Sequence, residues 1–278
     1  MPGLGRKLDG AEERARAAGV LDGSYKPVVP RPAVSVILAR EEAGALEIFL
    51  LWRAPTMTFL PGRLVFPGGS VDKRDAGNDV LPDVAAIADE LGVSTDEART
   101  KVITGVRETF EETGVLLARH KRTGAGFDVG ADVLEGERTR TLDRATTVAD
   151  VLDGHDLAVF AADLKPWARW VTPTVSPIRF DVTFFLAALP PGQVARHIST
   201  EASETAWWKP ADVLAALKTG AIQLATPQRM LLTELAGLRT LGDAFGSQRS
   251  LLSVCPEPAL VDGDYYLVFP DGVPVPGQ

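Results

Sequence analysis

The sequence predicts an α/β domain in which a mixed sheet is flanked by helices. Three observations lead there. Two apolar, β-branched runs, Ala33 to Ala39 and Leu46 to Trp52, stand either side of a short polar stretch, the pattern of a hairpin built from buried strands. Alternation returns from Arg179 to Ala188, where Phe180, Val182 and Phe184 are interleaved with Asp181 and Thr183. Helix-like segments with recognisable start and stop residues separate and follow these strands.

In chain order, residues 1–30 mix charge, Gly and Pro and are expected to form a flexible arm with one short helix from Ala11 to Ala18. Glu41 to Gly44 turn the first hairpin. A polar loop after Gly69 carries Asp72, Lys73, Arg74 and Asp75, and a helix is expected around Pro82 to Leu91. Ser94 with Glu97 three residues later has the spacing of a capping box, so a second helix begins there and runs to Thr113, with Gly114 as its stop. Thr123 to Glu137 reads as a loop, and Ala145 to Leu164 as two short helices broken near Gly154. Trp167 to Thr172 and Glu204 to Trp208 are strand candidates. Ala211 to Lys218 and Pro227 to Leu241 read as helices, the latter with Thr226 as N-cap. The tail from Ser253 contains a turn at Asp262-Gly263 and a strand-like run from Tyr265 to Phe269. The expected organisation is an arm at 1–30, one domain at 31–241, and a C-terminal extension at 242–278 packed on that domain.

Composition narrows the function. Of 278 residues, 45% are hydrophobic and 24% charged, as in ordinary soluble domains. A net charge of −8 argues against a broad nucleic-acid surface, which needs clustered cations to neutralise phosphates. One cysteine, Cys255, leaves no intramolecular disulfide and no cysteine-rich zinc site. No apolar run approaches the ~20 residues that span a bilayer, and residues 1–23 lack the apolar centre of a signal peptide. A cytoplasmic protein acting on a small molecule is expected, with no nucleic-acid or membrane partner and a homodimer left open. The last four residues, Val275 to Gln278, carry no recognisable peroxisomal address.

Glu108, Glu111 and Glu112 stand three and four residues apart, on one face of the helix that ends at Gly114. Like charges at that spacing repel by roughly 0.2–0.5 kcal/mol per pair, and they lie at the helix end whose dipole favours cations. A solvated acidic face is one reading. A divalent cation is the other, since Mg²⁺ is held by a few carboxylates together with substrate phosphates. Upstream, Phe66-Pro67-Gly68-Gly69 is a turn whose two glycines let backbone approach a ligand closely.

Together, this loop and the run Arg107-Glu108-Thr109-Phe110-Glu111-Glu112-Thr113-Gly114-Val115 resemble the Nudix box, Gly-x5-Glu-x7-Arg-Glu-U-x-Glu-Glu-x-Gly-U, where U is bulky and apolar. Thr109 departs from the bulky position. Gly69 is farther from Arg107 than the box allows, and the early Glu position, eight before Arg107, holds Arg99. An insertion must therefore loop out between the turn and the helix. The resemblance implies a Nudix α/β/α sandwich with helical additions and a hydrolase using Mg²⁺ or Mn²⁺ held by Glu108, Glu111 and Glu112. It assigns catalytic work to Glu111, Glu112 and Arg107, with the water-activating base supplied by Glu201 or Glu204, Glu201 being preferred.

Asp72, Asp75, Thr172-Pro173 and Arg179 to Phe185 extend the similarity towards the peroxisomal-type coenzyme A diphosphatases, over roughly Ala33 to Ala236. That branch implies coenzyme A or acyl-CoA as substrate. A longer motif of coenzyme A hydrolases is matched at Arg53-Ala54 and Gly62, but Leu51 and Thr58 replace its Thr and second Arg. Arg53, Arg63, Gly68 and Gly69 are the candidate substrate-binding residues, with Lys73 and Arg74 beside them. Competing substrates are ADP-ribose, NADH or a dinucleoside polyphosphate, and a different class of reading is a regulatory module that binds a nucleotide-derived ligand without turnover.

Overall fold

The computed structural model describes residues 3–57, 60–77, 80–81, 83–196, 202–249, 251 and 253–270. The chain opens with β1 (Gly3–Lys7) and α1 (Ala11–Asp22), so the segment expected as an arm with a short helix contains a strand and a helix reaching Asp22. β2 (Arg31–Glu42) and β3 (Ala45–Arg53) follow, joined by Ala43 and Gly44, both at positive φ. This is the two-residue hairpin turn whose twist matches the strands. Ala33 to Ala39 are all buried, which is why β2 is encoded by a continuous apolar run.

Two short strands come next, β4 (Leu64–Val65) and β5 (Gly68–Ser70), then a 3-10 turn over Lys73–Asp75 and α2 (Ala85–Leu91). The long helix α3 (Thr95–Thr113) starts where the capping pattern places it: Ser94 accepts from the Glu97 backbone N–H, and Gly114 at φ 75° ends it. Then come β6 (Arg119–His120), α4 (Ala131–Leu142), α5 (Val148–Gly154) and β7 (Leu157–Ala158). α4 begins inside the stretch expected as a loop. Its buried residues are Arg138 and Thr141, so no apolar stripe announces it. Only one α-helix forms in Ala145 to Leu164, because Ala161–Asp163 closes as a 3-10 turn.

The remaining elements are β8 (Leu164–Val171), β9 (Phe180–Ala188), β10 (Ala202–Trp208), α6 (Pro210–Lys218), α7 (Thr226–Leu235), α8 (Leu241–Gly246), β11 (Ser253–Val254), β12 (Glu257–Val261) and β13 (Asp264–Phe269). Pro227 to Leu241 is not one helix. α7 stops at Leu235, and Thr240 begins α8 with a capping box to Asp243. Thr226 is the first helical residue, with Ala225 as N-cap.

Two compact units divide the chain. The larger comprises Val34–Trp167 and Phe184–Leu251. Its strands follow the order β10-β3-β2-β9-β8, with β4 paired to β3 and β5 to β2. Val102, Ile103, Val106 and Phe110 of α3 join Val34, Val36, Leu38, Phe49 and Leu51 in its core. Gly105 lets the helix settle on the sheet, since a Cβ there would lie 3.2 Å from Val34 and Val36 side-chain carbons. The smaller comprises Met1–Ala33, Ala168–Thr183 and Leu252–Gln278. In it β1, β13 and β12 form a three-stranded antiparallel sheet, β11 pairs in parallel with β8 at Arg169 and Trp170, and Leu8, Ala17, Val175 and Leu267 form a small core. Among the described residues, no helix is long and apolar enough to cross a membrane.

Candidate active site

β5 is pinned onto β2 by contacts that only glycine permits. A Cβ at Gly68, whose φ is 154°, would lie 2.4 Å from the Val34 carbonyl oxygen, and one at Gly69 would lie 2.4 Å from Glu108 Oε1. Pro67 fixes the entry: its carbonyl accepts from Val36 N at 2.8 Å and from Ser35 Oγ at 3.1 Å. The Gly68 backbone N–H, thereby presented to α3, donates to Glu112 Oε2 at 2.9 Å. The Gly-Gly pair and the helix glutamates, distant in sequence, meet in space.

Arg107 organises the rest. Its Nε and Nη2 donate to Asp75 Oδ1 and Oδ2 at 2.8 and 3.0 Å, a bidentate fork. Nη2 also donates to the Ser70 carbonyl at 3.0 Å, while Nη1 reaches Glu108 Oε1 at 2.8 Å and Glu111 Oε2 at 3.1 Å. Burial opposes the guanidinium's charge, but the Asp75 hydrogen bonds and the charges of Glu108, Asp75 and Glu111 outweigh it and raise its pKa. Asp75 is only 2% exposed and accepts from Thr104 Oγ1 as well.

Asp75 is the residue that counting back from Arg107 misses. Five residues separate it from Gly69, the interval at which the box places its early Glu. The insertion therefore lies between this acid and Arg107, and counting eight residues back from Arg107 arrives at Arg99, whose guanidinium pairs with Asp96. The legible signal was the distance forward from Gly69.

Burial pushes the Glu108 carboxyl up to about 7, with Glu111 adding to the rise and Arg107 opposing it. Glu111 is raised as well, again chiefly by burial. As the side chains stand, no three acidic, histidine or cysteine side chains among the described residues converge as a metal-holding group, because Arg107 engages Glu108 and Glu111 while Gly68 holds Glu112. The donor set nevertheless fits a hard divalent cation. It is all oxygen, burial raises the Glu108 and Glu111 carboxyls against the pull of Arg107, and the missing Cβ of Gly69 leaves Glu108 its space.

The other expected residues lie elsewhere. Arg63 Nη1 donates to the Leu224 carbonyl at 3.1 Å. Arg53 ends β3, its backbone N–H bonded to the Arg63 carbonyl. Glu204 is on β10 opposite Trp52 and exposed. Glu201 is outside the described residues. A cavity of about 390 Å³ opens at the C-terminal end of α3, with Phe110, Phe127, Val129, Leu134, Arg138 and Arg196 among its walls.

Comparison with known proteins agrees with this fold. The family model described as the NUDT19 Nudix domain matches residues 88–235. A Caenorhabditis elegans protein named as a nudix hydrolase is 30% identical over 238 residues, covering 84% of this chain and 70% of that protein. The chain belongs to the Nudix family and is a Nudix hydrolase. Acyl-coenzyme A diphosphatase NUDT19 of Xenopus laevis is 24% identical over 242 residues, and that of Homo sapiens 26% over 237, covering 74% and 72% of this chain. The chain spans 63% of the length of each. Among solved structures, a NUDIX hydrolase from Alicyclobacillus acidocaldarius superposes with a TM-score of 0.67 at 26% identity, covering 80% of this chain and 98% of that one. Nudix hydrolases use divalent metal ions and act on small nucleotide-derived substrates.

Proposed function

We propose that this chain hydrolyses the diphosphate bond of coenzyme A or acyl-CoA, releasing adenosine 3′,5′-bisphosphate and 4′-phosphopantetheine or its acylated form. The observation that carries this reading is the placement of Glu108 and Glu112 against the Gly68-Gly69 strand, with Glu111 joined to Glu108 through Arg107, in a chain similar to acyl-coenzyme A diphosphatases. The apolar walls of the neighbouring cavity, from Phe127, Val129 and Leu134, suit a substrate with an apolar arm.

Glu108, Glu111 and Glu112 would hold Mg²⁺ or Mn²⁺. Such an ion, when bound, stabilises charge developing on diphosphate oxygens. Arg107 positions Glu108 and Glu111 rather than touching substrate, and Asp75 positions Arg107. Gly68 and Gly69 leave backbone room for the diphosphate beside the helix, and Glu201 serves as the base that takes the proton from the attacking water. Action in the cytoplasm belongs to the same proposal.

A second reading, cleavage of ADP-ribose, NADH or a dinucleoside polyphosphate, is favoured by Leu51 and Thr58, which break the coenzyme A motif. Incubating the purified protein separately with coenzyme A, an acyl-CoA, ADP-ribose and NADH, in Mg²⁺ and in Mn²⁺, and identifying products by chromatography separates the two. Release of adenosine 3′,5′-bisphosphate in preference to AMP from the other substrates supports the first reading, and the opposite preference replaces it.

A further inference from the structure

Arg74 and Arg144 gather around one carboxylate, Asp72, in the turn that leads from β5 to Asp75, and Lys73 lies between Asp72 and Arg74 in the chain. Arg144 Nη2 reaches Asp72 Oδ2 at 2.7 Å, and Arg74 Nε stands 3.5 Å from Asp72 Oδ1. Asp72 also accepts from the Arg74 backbone N–H at 2.9 Å, and its own N–H donates to Asp75. One carboxylate shared by two guanidiniums, with Lys73 exposed beside them, leaves a local surplus of positive charge in a protein whose net charge is −8.

Two details set this cluster apart from an ordinary surface ion pair. The Arg74 Nε is buried without a hydrogen-bond partner, and a buried donor left unmade is costly. Arg144 occupies φ 60° just past the end of α4, with its N–H bonded to the Thr141 carbonyl and the next N–H, of Ala145, to that of Arg140. Glycine is the usual residue at such a position, and a long β-carbon-bearing side chain is strained there. The strain places a guanidinium, 65% exposed, at Asp72.

The cluster is also joined to the active site. Asp75, which closes the same turn, forks onto Arg107, and Arg107 holds Glu108 and Glu111. A ligand whose diphosphate lies along Gly68-Gly69 would bring a nearby substituent to this turn.

We propose that Lys73, Arg74 and Arg144 form a subsite for a phosphomonoester of the substrate, which is the 3′-phosphate if the substrate is coenzyme A. The identity of the phosphate rests on the coenzyme A reading; the subsite itself rests on the geometry. A dianionic phosphate accepts paired hydrogen bonds from planar guanidiniums, and it would take the place Asp72 now holds between Arg74 and Arg144. The diphosphate of the same ligand is a second source of such chemistry, and the test tells the two apart.

Calorimetric titration with adenosine 3′,5′-bisphosphate and with adenosine 5′-monophosphate, in Mg²⁺, measures the subsite without turnover. The wild-type protein should bind the bisphosphate about tenfold more tightly, the size of one charge-assisted contact. Arg144→Gly should reduce that ratio towards one. Glycine suits φ 60°, so this variant should melt no lower than wild type, and loss of the ratio then cannot come from unfolding. Arg74→Gln should reduce the ratio likewise. Equal affinities in the wild type, an unchanged ratio in both variants, or an equal weakening of both ligands would overturn the subsite. A bisphosphate preference that depends on Arg144 in a protein that does not cleave coenzyme A would keep the subsite and discard the substrate reading alone.

Discussion

At Glu108, burial and the charge of Glu111 outweigh the attraction of Arg107, so the carboxyl keeps its proton up to about pH 7. A glutamate in the unfolded chain releases that proton near pH 4.3. Between these two values the folded protein binds more protons than the unfolded one, and its stability at this site falls as pH rises. The metal-free protein should therefore lose denaturant resistance from pH 5 to pH 7.5, and excess Mg²⁺ should restore it at the upper end with release of protons. Urea titrations at the two pH values, with and without Mg²⁺, measure this; no Mg²⁺ effect at pH 7.5 would contradict the assignment of Glu108 as a ligand. Asp75 supplies a second expectation. Its side chain is 3% exposed and Arg107's 10%, so Asp75→Asn removes the charge of the bidentate partner of a buried guanidinium, which keeps only its Glu108 and Glu111 contacts, and should cost about 3 kcal/mol by chemical denaturation. Turnover should fall with it, since Glu108 and Glu111 lose their fixed partner. Glu111→Gln, by contrast, should abolish metal-dependent turnover while leaving circular dichroism unchanged. The three glutamates and Arg107 are legible in the sequence because helical periodicity puts them together. Asp75 is legible only by its interval forward from Gly69, because its partner Arg107 is reached through a fold in the chain.

For the elements, local end signals were more informative than interior pattern. Ser94 and Gly114 bracket α3, and the structure caps the helix at both. Ser94→Ala should lower stability by about 1 kcal/mol, read as a small fall in melting temperature with the substrate profile retained. Phe110, fully buried on the core side of α3, should cost about 3–5 kcal/mol as Phe110→Ala. α4 was illegible for a physical reason: Arg138 is buried through hydrogen bonds to Glu135 and to the Glu111 carbonyl, and polar satisfaction leaves no hydrophobic period to read. The break between α7 and α8 was hidden by an apolar pattern that continues through Leu238 and Leu241, while Thr240 supplied the competing cap.

In the whole molecule, the two units place their chemistry differently. Glu108, Glu111, Glu112, Gly68, Gly69, Arg74, Arg107 and Arg144 all belong to the larger. Cys255 belongs to the smaller, and burial together with a hydrogen bond to Glu257 pushes its thiol up to about 12. At pH 8 roughly one part in ten thousand is thiolate, the reactive form. Alkylation by iodoacetamide at pH 8 should be far slower in the native protein than in urea, and its acceleration along a urea titration reports the opening of the smaller unit. Rapid labelling of the native protein would refute this. The α/β class and the strand hairpin were readable from burial pattern, whereas the assembly of one unit from three separate chain segments leaves no local trace.

The Asp75–Arg107 fork also bears on how such a motif tolerates change in length. Closing a loop costs entropy that grows only as the logarithm of its length, about 0.6 kcal/mol per doubling, and two parallel charge-assisted bonds hold the ends of this one. The segment between them can lengthen, shorten or acquire a helix such as α2 while the ligands at its base keep their registration. A signature of this kind is a knot tied at two points, and its fixed quantity is the span between the ends, not the amount of chain let out between them.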